Sequence, residues 1–96
     1  MTVFGPGATA GLTTVEFDPG SVADLHEAIE RAIPRNSHSH QDLTWHDGNG
    51  QSLARAALIG PDLTIPLAGR KLLLGTWQHI VLLDFYNPPR NRRVIM

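Results

Sequence analysis

Three histidines lie close together in one polar segment, residues 35–50, at positions His38, His40 and His46. One residue separates His38 from His40, so in extended backbone both imidazoles point to the same side. Imidazoles bind zinc and carry protons near neutral pH. The chain has no cysteine, so zinc would also need carboxylate or water ligands, and we predict that no metal is held with zinc-like affinity. The alternative is a solvated loop with incidental histidines.

A glycine-rich turn, Asp47-Gly48-Asn49-Gly50, leads into a predicted short helix over residues 51–58. The N–H groups of such a turn and of the helix start behind it attract anions. Ser52 lies in the first turn of this helix, and Arg55 follows on the same face with a guanidinium that matches phosphate geometry. A tight loop and an exposed arginine without a partner are the alternatives. The predicted phosphate-binding residues are Asn49, Gly50, Ser52 and Arg55.

Glu16 is a further candidate, near the end of a predicted strand over residues 12–17. A carboxylate there can orient a histidine or act as a base, if a partner lies within hydrogen-bond reach. A solvent-facing strand residue is the alternative. Arg90, Arg92 and Arg93 can neutralise an anion, but their position favours a solvated sheet edge.

The clearest predicted element is a helix from about Gly20 to Ile33. Apolar residues recur on one of its faces and charged residues lie away from that face. Ser21 and Asp24 have the spacing of a capping box, and Pro34 ends the helix.

From Asp62 onward the pattern becomes that of β-strands, with a hairpin turn predicted at Ala68-Gly69-Arg70. A strand is predicted over residues 76–86, and its run Ile80–Leu83 is apolar on both faces, as in a central or interface strand. We therefore predict an α+β fold. One principal helix and one short helix pack on a largely antiparallel sheet or sandwich, with an antiparallel sheet from Asp62 to Met96.

Length and charge limit the functional classes. The chain has 96 residues, which predicts a single domain, and a formal charge of −1. That charge offers no electrostatic footprint for nucleic acid or an anionic membrane. No apolar stretch approaches the roughly 20 residues that span a bilayer, and the first residues do not read as a signal peptide. We expect a soluble, cytoplasmic protein that self-associates, because both ends read as open strands.

Four segments, in chain order, resemble the YjbQ family. Residues 9–19, with TAGLTTVE and DP, resemble its pattern TAA(I/L)T-E…DP, and His40 with WHDGNG at 45–50 is similar to its His…W-x-DGNG loop. Residues 55–66, RAALIGP and LTIP, resemble RA-LLGPSLT-P. Residues 75–93, from GTWQ through DF to the arginines, resemble GTWQ-I-L-DF…R-RR.

This resemblance implies a compact α+β domain that assembles as a homotrimer with pockets between subunits. It also implies a secondary thiamine-phosphate synthase activity, a transfer that joins a pyrimidine diphosphate to a thiazole phosphate and releases diphosphate. Expelling diphosphate requires cations or N–H dipoles at the leaving group, with Mg²⁺ as a possible cofactor. The partner would be a small phosphorylated molecule. The predicted catalytic residues are Glu16, His40 and Arg55.

The chain departs from the family pattern at two histidine positions, which here hold Gly7 and Leu53. An arginine holds a phosphate but does not shuttle protons at neutral pH, so we expect turnover to be weak or lost. The resemblance also implies strands and a helix before Val3 and a few strand residues after Met96. The alternatives to a transferase are a non-catalytic oligomeric protein that binds a phosphorylated ligand, and a gene fragment of the family.

Overall fold

In the computed structural model the described residues are 1–35, 50–86 and 91–96. They form two helices and six short strands, and the α+β prediction is confirmed. The helices are α1 (Pro19–Ala32) and α2 (Gly50–Ile59). The strands are β1 (Thr2–Phe4), β2 (Ala10–Val15), β3 (Asp62–Thr64), β4 (Leu67–Ala68), β5 (Lys71–Leu72) and β6 (His79–Asp84).

The described strands pair antiparallel, but not as the single sheet predicted from Asp62 to Met96. They form three two-stranded sheets, β1–β3, β2–β6 and β4–β5. The longest ladder sets Ala10 opposite Asp84 and Val15 opposite His79. The prediction of one continuous sheet was wrong because β3 and β6 find their partners near the start of the chain rather than in each other.

The hairpin between β4 and β5 is confirmed at its predicted turn. Gly69 and Arg70 both have positive φ, at 57° and 64°. Positive φ at both central residues is the geometry of a type I′ turn, whose twist matches that of the flanking strands.

Helix α1 begins and ends within one residue of its predicted bounds, but its cap is Asp18 and not Ser21. The Asp18 carboxylate accepts from the backbone N–H of Ser21 at 3.0 Å and from the Ser21 hydroxyl at 2.9 Å. The backbone hydrogen bond from Ser21 is the main reason that the pKa of Asp18 lies below its ordinary value. A carboxylate satisfies the first N–H groups of a helix better than a neutral hydroxyl.

The small core lies between α2 and the strands, and it is this packing that positions the candidate site. Its buried apolar residues are Val3, Ala10, Leu12, Ala56 and Ile65. Helix α2 lies against β2, and the carbonyl of Gly60, in the turn after α2, accepts a hydrogen bond from the N–H of Leu12 at 2.9 Å. No described residue of α1 is fully buried.

Candidate functional site

An apolar cleft opens between α2 and the segment that leads into β2. Its volume is about 220 Å³, and its walls include Gly7, Ala10, Leu53, Ala56, Ala57 and Pro61. Gly7 and Leu53 are the two positions at which the resemblance implies histidine, and the fold brings them to this one cleft. None of the described residues that line it carries a titratable side chain. The described walls of the apolar cleft therefore offer no group that transfers a proton.

Gly7 adds a second constraint at the same place, since its φ is +128°. L-amino acids with a side chain rarely adopt that conformation. A histidine at position 7 would therefore require a different backbone conformation, and the conformation present here suits glycine.

Arg55 is buried, and its side chain binds the end of α1. Its side chain is 4% exposed. Its Nε and Nη2 donate to the carbonyl of Ile33 at 3.0 and 2.6 Å, and Nη2 also donates to the Glu30 carboxylate at 2.6 Å. The guanidinium carbon lies 6.0 Å from the centre of the Phe85 ring. These contacts satisfy the last turn of α1, which otherwise leaves carbonyls without partners.

Ser52 is also turned inward. It is 1% exposed, and its hydroxyl donates to the carbonyl of Phe85 at 2.6 Å. Gly50, the first residue of α2, is buried as well. Ser52 and Arg55 do share one helical face, as predicted, and that face contacts α1 and the end of β6.

Of the predicted catalytic residues, the structure describes Glu16 besides Arg55. Glu16 is exposed and directly follows β2, whose opposite end reaches the apolar cleft. Six residues of extended strand put Glu16 roughly 20 Å from Ala10. His40 and Asn49 lie outside the described residues, as do His38 and His46, so the predictions that concern them and the metal prediction stay predictions.

A polar cleft of about 340 Å³ lies beside the first turn of α2. Its walls are Arg35, Gln51, Asp84, Phe85 and Tyr86. The negative charge of Asp84 is balanced, because Arg92 binds both of its carboxylate oxygens at 2.7 and 2.8 Å. The Asp84 hydrogen bond is also the main reason that the pKa of Arg92 is raised. Arg35 is exposed, and it is the cation among the described residues that line this polar cleft. Its charge also acts on Glu30, whose pKa it helps to lower.

Sequence reasoning did not select Arg35. The available signal was its position, directly after the helix end at Pro34 and at the start of the histidine-containing segment. Arg35 also contributes to the helix terminus, since its backbone N–H donates to Glu30 at 3.3 Å.

No described helix has the length and apolar character needed to cross a membrane. The cytoplasmic location stays a prediction.

Comparison with known families gives a match over the full length. The family described as "UPF0047 protein YjbQ-like" matches residues 1–96. A UPF0047 protein of Mycobacterium bovis is 39% identical over 96% of this chain and 72% of its own length. A UPF0047 protein of Archaeoglobus fulgidus is 36% identical over 100% of this chain and 74% of its own.

Solved structures agree with this match. A protein of unknown function from Sulfolobus solfataricus, described as YbjQ-like, has a TM-score of 0.89 at 25% identity, over 97% of this chain and 66% of that one. An uncharacterised YjbQ/UPF0047 protein from Clostridium acetobutylicum has a TM-score of 0.85 at 32% identity, over 98% and 70%.

Proposed function

Because the chain belongs to the YjbQ-like UPF0047 family, we propose that it binds a small phosphorylated molecule and has lost thiamine-phosphate synthase turnover. The observation that carries the binding is the polar cleft beside α2, where Arg35 is an exposed cation and the charge of Asp84 is balanced by Arg92. The site lies next to the predicted residues Gly50 and Ser52, but its cation is Arg35, because Arg55 is already bonded to α1.

Loss of turnover follows from the apolar cleft. A transfer that expels diphosphate needs groups that donate protons or stabilise charge on the leaving oxygen. At Gly7 and Leu53 the chain offers neither. Arginine and backbone N–H groups still hold a phosphate without turning over a substrate.

Titration calorimetry with diphosphate tests the binding proposal. We expect a dissociation constant of roughly 1 mM for the wild type. Arg35→Gln should weaken it roughly tenfold, because a charge-assisted hydrogen bond is lost. Arg31→Gln is the matched control, since it removes an exposed arginine of α1 and should change little. Equal diphosphate affinity in the wild type and Arg35→Gln contradicts this site. Titrations with and without Mg²⁺ test the cofactor prediction.

An activity assay with the pyrimidine diphosphate and thiazole phosphate tests the lost turnover. We expect no thiamine phosphate above background from the wild type, and Leu53→His alone should not restore it, because position 7 also lacks its histidine. Robust wild-type turnover would support the second candidate function, a transferase, for which Glu16, His40 and Arg55 are the predicted catalytic residues.

We further propose that the chain assembles as a homotrimer. Phe17 is 68% and Leu82 38% exposed, and both border a cleft on the edge of β6. Exposed apolar side chains that lie together are typical of subunit contacts. Light scattering should give a mass three times the 10.5 kDa of one chain, and Leu82→Arg should lower it to that of one chain. A wild-type monomer at micromolar concentration would contradict the assembly.

A further inference from the structure

We infer that the chain has a second ligand site, for a small monocarboxylate with an apolar body about the size of one ring. The site joins the apolar cleft to a neighbouring cleft of about 230 Å³, lined by Pro6, Gly7, Asn91, Arg92 and Arg93 and called the basic cleft. Gly7 belongs to both clefts. This ligand is neither the phosphorylated molecule proposed for the polar cleft nor bound at the same place.

Gly7 connects the two clefts because it has no side chain. A Cβ added there would lie 3.4 Å from Nη1 of Arg92, so a larger side chain would extend into the space beside this guanidinium. With glycine, Nη1 of Arg92 faces the junction of the two clefts. A ligand that lies across Gly7 would have its apolar body against Leu53 and Ala57 and its charged end near the arginines.

The charge of the basic cleft favours a monoanion. Arg92 is 9% exposed, and Asp84 already balances its charge through Nε and Nη2. The Arg92 Nη2 atom also donates to the hydroxyl of Thr9 at 2.7 Å. Arg93 is exposed, and no described residue that lines the basic cleft is acidic. Among the described lining residues, one positive charge therefore has no acidic neighbour in the cleft, and one such charge matches a carboxylate better than a dianionic phosphate ester.

The volume of the apolar cleft sets the size of the apolar body. An apolar cavity of roughly 150 Å³ holds benzene, and this cleft measures about 220 Å³. Its walls are small aliphatic side chains, so the contact is dispersion and loss of apolar surface from water. A single ring or a short branched chain is the body that these walls accommodate.

Benzoate is the probe for this site, titrated by calorimetry or NMR against the full chain. We expect benzoate to bind at least tenfold more tightly than acetate, which has the charge without the ring. It should also bind at least tenfold more tightly than benzyl alcohol, which has the ring without the charge. Benzoate affinity equal to that of either control overturns the inference.

Substitutions at two exposed positions test the two clefts of this site separately. Ala57→Leu fills the apolar cleft, with Ala54→Leu on the same helix as its control. Arg93→Gln removes the charge, with Lys71→Gln as its control. Both test variants should weaken benzoate at least fivefold, and neither control should change it. The inference is overturned if a test variant keeps wild-type benzoate affinity. It is also overturned if a control variant loses as much benzoate affinity as its test variant. Far-ultraviolet circular dichroism shows that each variant is folded, and Arg35→Gln should leave benzoate binding unchanged.

Discussion

Arg55→Ala should lower the free energy of unfolding by about 2–4 kcal/mol, because it removes a buried hydrogen-bonding centre. The side chain bonds the carbonyl of Ile33 twice and the Glu30 carboxylate once. Without it the end of α1 loses its link to α2. Denaturant unfolding at fixed protein concentration measures the effect, since the stability of an assembled protein depends on concentration.

The control for Arg55→Ala is Arg31→Ala, an exposed arginine on α1 that should change stability by less than about 0.5 kcal/mol. The same pair of variants decides what Arg55 does. If Arg55→Ala keeps wild-type stability and loses diphosphate binding, the predicted role of Arg55 as the phosphate contact holds, and the structural role is refuted. Loss of stability with diphosphate affinity retained supports the polar cleft.

Stability measured in acid isolates the contribution of the Glu30 carboxylate to the free energy of unfolding. Its pKa lies below the ordinary value of 4.5, first because Arg55 donates a side-chain hydrogen bond and then because the N–H of Arg35 donates another. A lowered pKa means that the carboxylate stabilises the folded state at neutral pH, and that this contribution is lost as pH falls below 4.5. The stability difference between wild type and Glu30→Gln should therefore shrink in acid.

Local pattern determined what the sequence predicted well. The apolar stripe and Pro34 define α1 to within one residue, and Gly69 with its flanking strands defines the hairpin. These signals act over a few residues, so they can be seen in the sequence alone. The pairing of β2 with β6 has no such signal, because its partners are separated by more than sixty residues of chain.

The candidate site shows where helical spacing stops being informative. Spacing placed Ser52 and Arg55 on one face correctly, but it does not say whether a face meets solvent or another helix. Arg55 is 4% exposed and Leu58, on the same helix, is 67% exposed. Hydrophobicity alone would reverse that order. The burial of Arg55 depends on a partner 25 residues earlier in the chain.

Helix α2 lies close against β2 at Gly11, and Gly11→Ala should lower the free energy of unfolding by about 2–3 kcal/mol. A Cβ at Gly11 would lie 2.6 Å from Cγ2 and 2.7 Å from Cβ of Ile59, and 3.2 Å from the carbonyl of Gly60. Backbone and the branched part of a side chain cannot move aside as a flexible chain end does. Gly5→Ala is the matched control, because a Cβ there meets its nearest neighbours at an ordinary 3.8 Å.

The side chain closest to a Cβ at Gly11 is that of Ile59, and a second substitution there should restore part of the lost stability. The family pattern TAA(I/L)T has alanine where this chain has Gly11, and the pattern LLGP has leucine where it has Ile59. The β-branch of Ile59 occupies the space that an alanine methyl would take. Gly11→Ala combined with Ile59→Leu removes that branch. The double variant should therefore recover about 1–2 kcal/mol relative to the sum of the two single changes. A denaturation cycle over the four proteins measures the coupling. Additive losses would show that Gly11 and Ile59 do not share this space.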